Sequence, residues 1–136
     1  MQVVVTRTLQ GLAWLVVAGI VVQFYLTGAA LFGATTFQPH RLLGNALAVA
    51  MLLLLVLALV ARAGRRTVGM AALLVALAIV QVVLPSLRTA VPWVAALHAI
   101  NAGALAMVTL RIARAEDSRA AAGRSTETLV PARSGT

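Results

Sequence analysis

Two histidines, His40 and His98, each follow a glutamine at the same interval, Gln23 before His40 and Gln81 before His98. The pairs are offset by 58 residues and lie in apolar surroundings. An ionisable ring in such a stretch is costly to bury, and it points to a ligand site or a helix-to-helix hydrogen bond. The same offset matches Arg7 with Arg65, Gly11 with Gly69, Ala18 with Ala76 and Leu26 with Leu84, and Ala46-Leu47-Ala48 with Ala104-Leu105-Ala106. Matches among Ala, Leu and Val are cheap in so apolar a chain, so the polar ones carry the argument for a repeated unit. A repeat of two spans returns the chain to its starting side. Its copies are then related by a pseudo-two-fold axis along the membrane normal. That axis brings His40 and His98 to one depth, face to face.

Two imidazoles alone restrict the chemistry. A bare zinc site needs three or four protein ligands, and no cysteine or carboxylate accompanies either histidine in sequence. Haem needs only one or two protein ligands, because the porphyrin supplies four nitrogens. The expected site is therefore a haem b iron held axially by His40 and His98. With no cysteine in the chain, that haem is non-covalent. One turn inward from the histidines stand Gly44 and Ala102, small enough to leave room for a porphyrin edge or, equally, for close helix packing. Gln23 and Gln81 are candidates to orient the imidazoles, with Asn101 on the His98 face. Arg41 and Arg88 are placed to pair with propionates, although interfacial snorkelling is the commoner use of a lone arginine. Tyr25 and Trp93 suit interfacial anchoring or packing on the cofactor, and Trp14 has no evident role.

The elements that must position these residues are written in the composition. Of 136 residues, 62% are hydrophobic, and the mean hydropathy is +1.00. Charge is nearly absent from four stretches long enough to cross hydrocarbon, which takes about 20 residues. Spans are expected at 9–33, 36–61, 67–87 and 91–112. Thr36 and Pro39 suit the start of the second, and Pro85 and Pro92 bracket the last turn. Lipid leaves backbone groups no partner but their own helix. The predicted fold is all-α, an integral membrane four-helix bundle over residues 1–112, built from two parallel two-helix repeats. Residues 113–136, rich in Arg, Ala, Ser and Thr, read as a mostly disordered cytoplasmic tail, with disorder setting in after about residue 118.

All eleven basic residues are arginine, and only Arg41 and Arg88 fall on the side opposite the termini. The positive-inside rule puts both termini and the 62–66 loop in the cytoplasm of a multi-pass protein of the cell (inner) membrane. The net charge of +8 matches attraction to anionic lipid, not nucleic acid, because no aromatic residues accompany it. No general base, nucleophile or phosphate loop is visible, so an enzyme is the least supported class.

The run His40-Arg41-Leu42-Leu43-Gly44 resembles the His-Arg opening of a helix in the haem A synthase family. Gln81, Leu84-Pro85 and Ala96-Leu97-His98 are similar to the third and fourth helices of one half of those enzymes. The resemblance covers roughly residues 20–110. It implies a four-helix half with an outward histidine pair, His40 and His98, holding haem b. It departs from the catalytic half, since Thr36-Phe37-Gln38-Pro39 puts no glutamate before His40. The chain also looks like small actinobacterial four-span membrane proteins of unassigned function. The leading expectation is one-electron transfer or haem handling near the extracytoplasmic face, with the bilayer and a redox partner or membrane complex as partners. A homo-oligomer stays open. A cofactor-free structural or partner-binding subunit is the alternative, and a small-molecule or quinone carrier a third.

Overall fold

The computed structural model describes the backbone of residues 2–128, with side chains for 4–115, 117 and 118. Four helices follow one another: α1 (Gln2–Leu31), α2 (Gln38–Val60), α3 (Arg65–Val83) and α4 (Pro92–Thr128), with a 3₁₀ turn at Leu84–Leu87. Four apolar segments are long enough to cross a membrane: Val4–Leu31 in α1, Gln38–Val60 in α2, Arg65–Leu87 formed by α3 with the 3₁₀ turn, and Pro92–Ala115 in α4. The helices form a bundle in which α1 touches α2 and α4, and α3 touches α2 and α4. Hence α1 faces α3, and α2 faces α4, across the diagonals. Their short connections make it an up-down-up-down arrangement.

The helix ends follow local chemistry. At the end of α1, Gly33 takes φ +76°, and the N–H groups of Gly33 and Ala34 return to the carbonyls of Ala30 and Ala29. This Schellman closure requires a left-handed residue, which glycine adopts without a Cβ penalty. The same closure ends α2, where the N–H groups of Arg62 and Ala63 reach Leu59 and Ala58. There the left-handed position belongs to Arg62, at φ +50°. Helix α2 starts two residues later than the expected span. Phe37 is its N-cap, without a side-chain cap bond, although the Thr36 hydroxyl does accept the Gln38 N–H at 3.3 Å.

One stripe of each helix is buried: Leu9, Ala13, Val16 and Ile20 on α1; Leu47, Met51, Leu54 and Ala58 on α2; Thr67, Ala71, Leu74 and Ala78 on α3. On α4 the stripe is Leu105, Thr109, Ile112 and Ala113. The alternating steps of three and four residues are those of left-handed bundle packing. The buried Thr109 hydroxyl is satisfied within its own helix, donating to the Leu105 carbonyl at 2.8 Å. Small residues bring the helices close. A Cβ on Gly19 would lie 2.5 Å from a Leu47 methyl group, so that glycine admits Leu47 against α1. The outward faces are no less apolar. Phe32, at 92% exposed, and many Val and Leu side chains face away from the core, which is the pattern of a lipid-solvated bundle.

Helix α4 runs past the span expected for it. The segment beyond residue 112, read from composition as a disordered tail, continues as helix to Thr128. Ala, Arg and Glu dominate it and are strong helix formers, and its first proline is Pro131. Residues 129–136, the rest of that expected tail, lie outside the described residues.

Candidate functional site

The histidines lie at the end of the bundle that carries the α1–α2 and α3–α4 connections. His40 is in the first turn of α2, and His98 stands two turns into α4. Their rings meet across the α2–α4 diagonal, with centroids 6.1 Å apart and planes inclined by 66°. Phe37 stands edge-on to His40 at 6.3 Å.

Each ring is held through Nδ1, and the partners assign the tautomers. The Thr27 hydroxyl donates to the Gln23 carbonyl at 2.9 Å, so its oxygen is left to accept the His40 Nδ1–H at 3.1 Å. His98 Nδ1–H donates to the Gln81 carbonyl at 3.0 Å. Helix geometry would give that carbonyl the amide of residue 85, but Pro85 has no N–H to offer. Both imidazoles therefore carry their proton on Nδ1 and a lone pair on Nε2, the form in which histidine binds a metal.

The glutamines differ in what they do with their amides. Gln23 donates through Nε2 to the His40 carbonyl at 3.0 Å, while its Oε1 is buried with no donor. Gly44 makes this bond feasible, since a Cβ there would sit 2.9 Å from the Gln23 Nε2. The space left by Gly44 is thus taken by the Gln23 amide. Gln81 instead turns its Nε2 onto His98 Nε2 at 3.2 Å. Its Oε1 is fixed by Asn101, whose Nδ2 donates to it at 2.7 Å and to the Leu77 carbonyl at 2.9 Å.

The structure therefore brings together His40, His98, Gln23, Gln81, Asn101 and Gly44. Ala102 is half-buried on α4, one turn beyond His98. Arg41 and Arg88 are exposed at the same end, and their side chains hydrogen-bond none of these groups. Trp93 is 88% exposed and Tyr25 also faces outward, as interfacial anchors do. Trp14 acquires a role at the opposite end, where its indole N–H donates to the Asp117 carboxylate at 3.5 Å and Gln10 donates to the same oxygen. No group of three or more His, Cys, Asp or Glu side chains comes together among the described residues, so the donor set is the two imidazoles.

Thr27 and Pro85 are the site residues that sequence reasoning missed. The signal for Pro85 was its place four residues after Gln81. Thr27 stands one turn after Gln23, a relation visible only once Gln23 was suspected.

The model of a family of unknown function, DUF6220, matches residues 23–90. The chain belongs to the DUF6220 family. The match spans Gln23, His40, Arg41, Gly44, Gln81 and Arg88, and it stops before His98 and Asn101. No curated protein and no solved structure matches the chain.

Proposed function

We propose that this DUF6220 protein is a b-type haem protein of the cell membrane, with His40 and His98 as axial ligands of one iron. The observation that carries the reading is the separation of the two rings, 6.1 Å between centroids, with both Nδ1 atoms already engaged. One iron shared by two imidazoles needs about 6 Å between ring centroids, from metal–nitrogen bonds of about 2 Å and half a ring on each side. The donor set also fits, because two neutral nitrogens complete a porphyrin iron and are too few for a bare metal.

Within this reading the chain's own residues have separate tasks. Thr27 and the Gln81 carbonyl hold the ring orientations, and Asn101 holds Gln81 in turn. Gln23 fixes the first turn of α2 through the His40 carbonyl. Arg41 and Arg88 supply cations at the open end of the bundle for carboxylates of the cofactor. The apolar stripes below the pair exclude water. Bound there, haem supplies a one-electron couple suited to electron transfer or haem handling. The resemblance of the His40-Arg41 opening to one half of the haem A synthase family points the same way.

We further read α1–α2 and α3–α4 as two copies of one unit. Support comes from Gln23–His40 and Gln81–His98, which are bonded at the same sequence separation of 17, each within its own helical hairpin. The excess of arginine at the other end supports a reading in which that end and both termini are cytoplasmic and the histidines lie near the extracytoplasmic face. The bilayer and a redox partner or membrane complex remain the proposed partners.

A second reading has one observation in its favour. Both ring nitrogens of His98 are bonded to Gln81, as expected of a histidine that cements α3 to α4 in a cofactor-free subunit. An absorption spectrum of the protein purified from haem-replete cells and reduced with dithionite separates the two. Axial ligation predicts a sharp Soret band with split visible bands, and the split visible pattern is lost in both His40→Ala and His98→Ala. A colourless wild-type protein sinks the haem reading in favour of the subunit.

A further inference from the structure

The two histidines are not equivalent. His40 Nε2 has no hydrogen-bond partner among the described residues, whereas His98 Nε2 receives the Gln81 amide at 3.2 Å. The amide is not loosely placed. Asn101 bonds to its oxygen at 2.7 Å and is itself anchored on the Leu77 carbonyl, so the N–H is aimed at the His98 lone pair. No such chain exists beside His40, where the residue at the Asn101 offset is Leu43 and the glutamine amide points to a backbone carbonyl.

We propose that His98 is the exchangeable ligand of the pair and that the Gln81 amide, steadied by Asn101, is the latch that competes with iron for its Nε2. The proposal rests on the haem reading and deepens it. The lone pair of His98 Nε2 serves either the metal or the amide N–H, not both. When His98 lets go of the metal, Gln81 receives it, so the released state keeps its hydrogen bonds. His40, without a competitor, stays bound. One coordination position therefore opens toward the α4 side, where a small neutral ligand of iron, such as carbon monoxide or nitric oxide, can enter.

The test uses the full-length, haem-loaded protein in detergent and carbon monoxide as the probe. Gln81→Leu removes the amide but keeps the backbone carbonyl that holds His98 Nδ1. The loss of one net hydrogen bond from the open state reduces its population about fivefold. Carbon monoxide association with the ferrous protein slows by the same factor, and the fraction with high-spin bands falls. Asn101→Leu, which only unsteadies the amide, moves both readouts in the same direction by less, and it decides the matter if Gln81→Leu does not accumulate. His98→Ala keeps its haem as a high-spin species with fast carbon monoxide binding, and His40→Ala loses it. Unchanged association in the Gln81 and Asn101 variants overturns the latch while leaving bis-histidine ligation standing. A wild-type protein that binds no haem overturns both.

Discussion

Pro85 stands four residues after Gln81 on α3, and the carbonyl it leaves without a helical amide is the one that accepts the His98 Nδ1–H at 3.0 Å. A break in one helix is thereby converted into the orientation of a ring on the next. The 3₁₀ turn at Leu84–Leu87 follows from the same missing N–H.

Pro85→Ala restores an amide to the Gln81 carbonyl and lets α3 run on. The His98 bond is then shared or lost. Metal affinity falls about tenfold when such an orienting partner is weakened. On the proposed haem reading, transfer of haem to a competing apoprotein should accelerate accordingly. An unaltered rate would deny Pro85 any part in the site.

Thr27→Val keeps the shape of the side chain and removes the acceptor for His40 Nδ1–H. Nitrogen NMR of the haem-free protein should find His40 protonated at Nδ1 in the wild type and as a tautomer mixture in the variant. The single tautomer persisting in Thr27→Val would mean that another group fixes the ring.

Gly44→Ala puts a methyl group 2.9 Å from the Gln23 amide nitrogen. The glutamine must swing off the His40 carbonyl, at a cost of about 1 kcal/mol for the lost bond. Thermal unfolding should shift down by a few degrees. The double variant Gly44→Ala with Gln23→Leu should lose less than the two single effects added together, since one interaction is removed twice.

At the other end, the Asp117 carboxylate joins α4 to α1 through Gln10 and Trp14. Asp117→Ala should free the indole, and emission from Trp14, read in a Trp93→Phe background, should change. Faster amide exchange in α4 beyond Ile112 should accompany it. Constant emission and exchange would show that the contact does not hold the helix.

The chain has no cysteine, so its topology can be mapped with single thiols. Thr35→Cys should react with an impermeant maleimide added outside cells, and Arg65→Cys only after permeabilisation. The reverse pattern would invert the arginine argument and put the histidine pair on the cytoplasmic face.

The sequence determined the four spans, because apolar length is decided by the thickness of hydrocarbon and needs no partner. It also determined which polar residues to watch, since Gln23, His40, Gln81, His98 and Asn101 stand out against an apolar background. Only the tertiary structure decided which face of each helix looks inward. In lipid the outer face is as hydrophobic as the core, so Leu52 and Leu53 read no differently from Met51 and Leu54 until the helices are packed. It alone decided the hydrogen bonds as well. Thr27 and Pro85 are unremarkable letters, and their effect on His40 and His98 exists only where one helix lies against the next. The reach of α4 past the bundle is settled the same way, since Asp117 finds Gln10 and Trp14 more than a hundred residues away along the chain. Composition records what each segment is made of. Pairing between segments is a property of their placement.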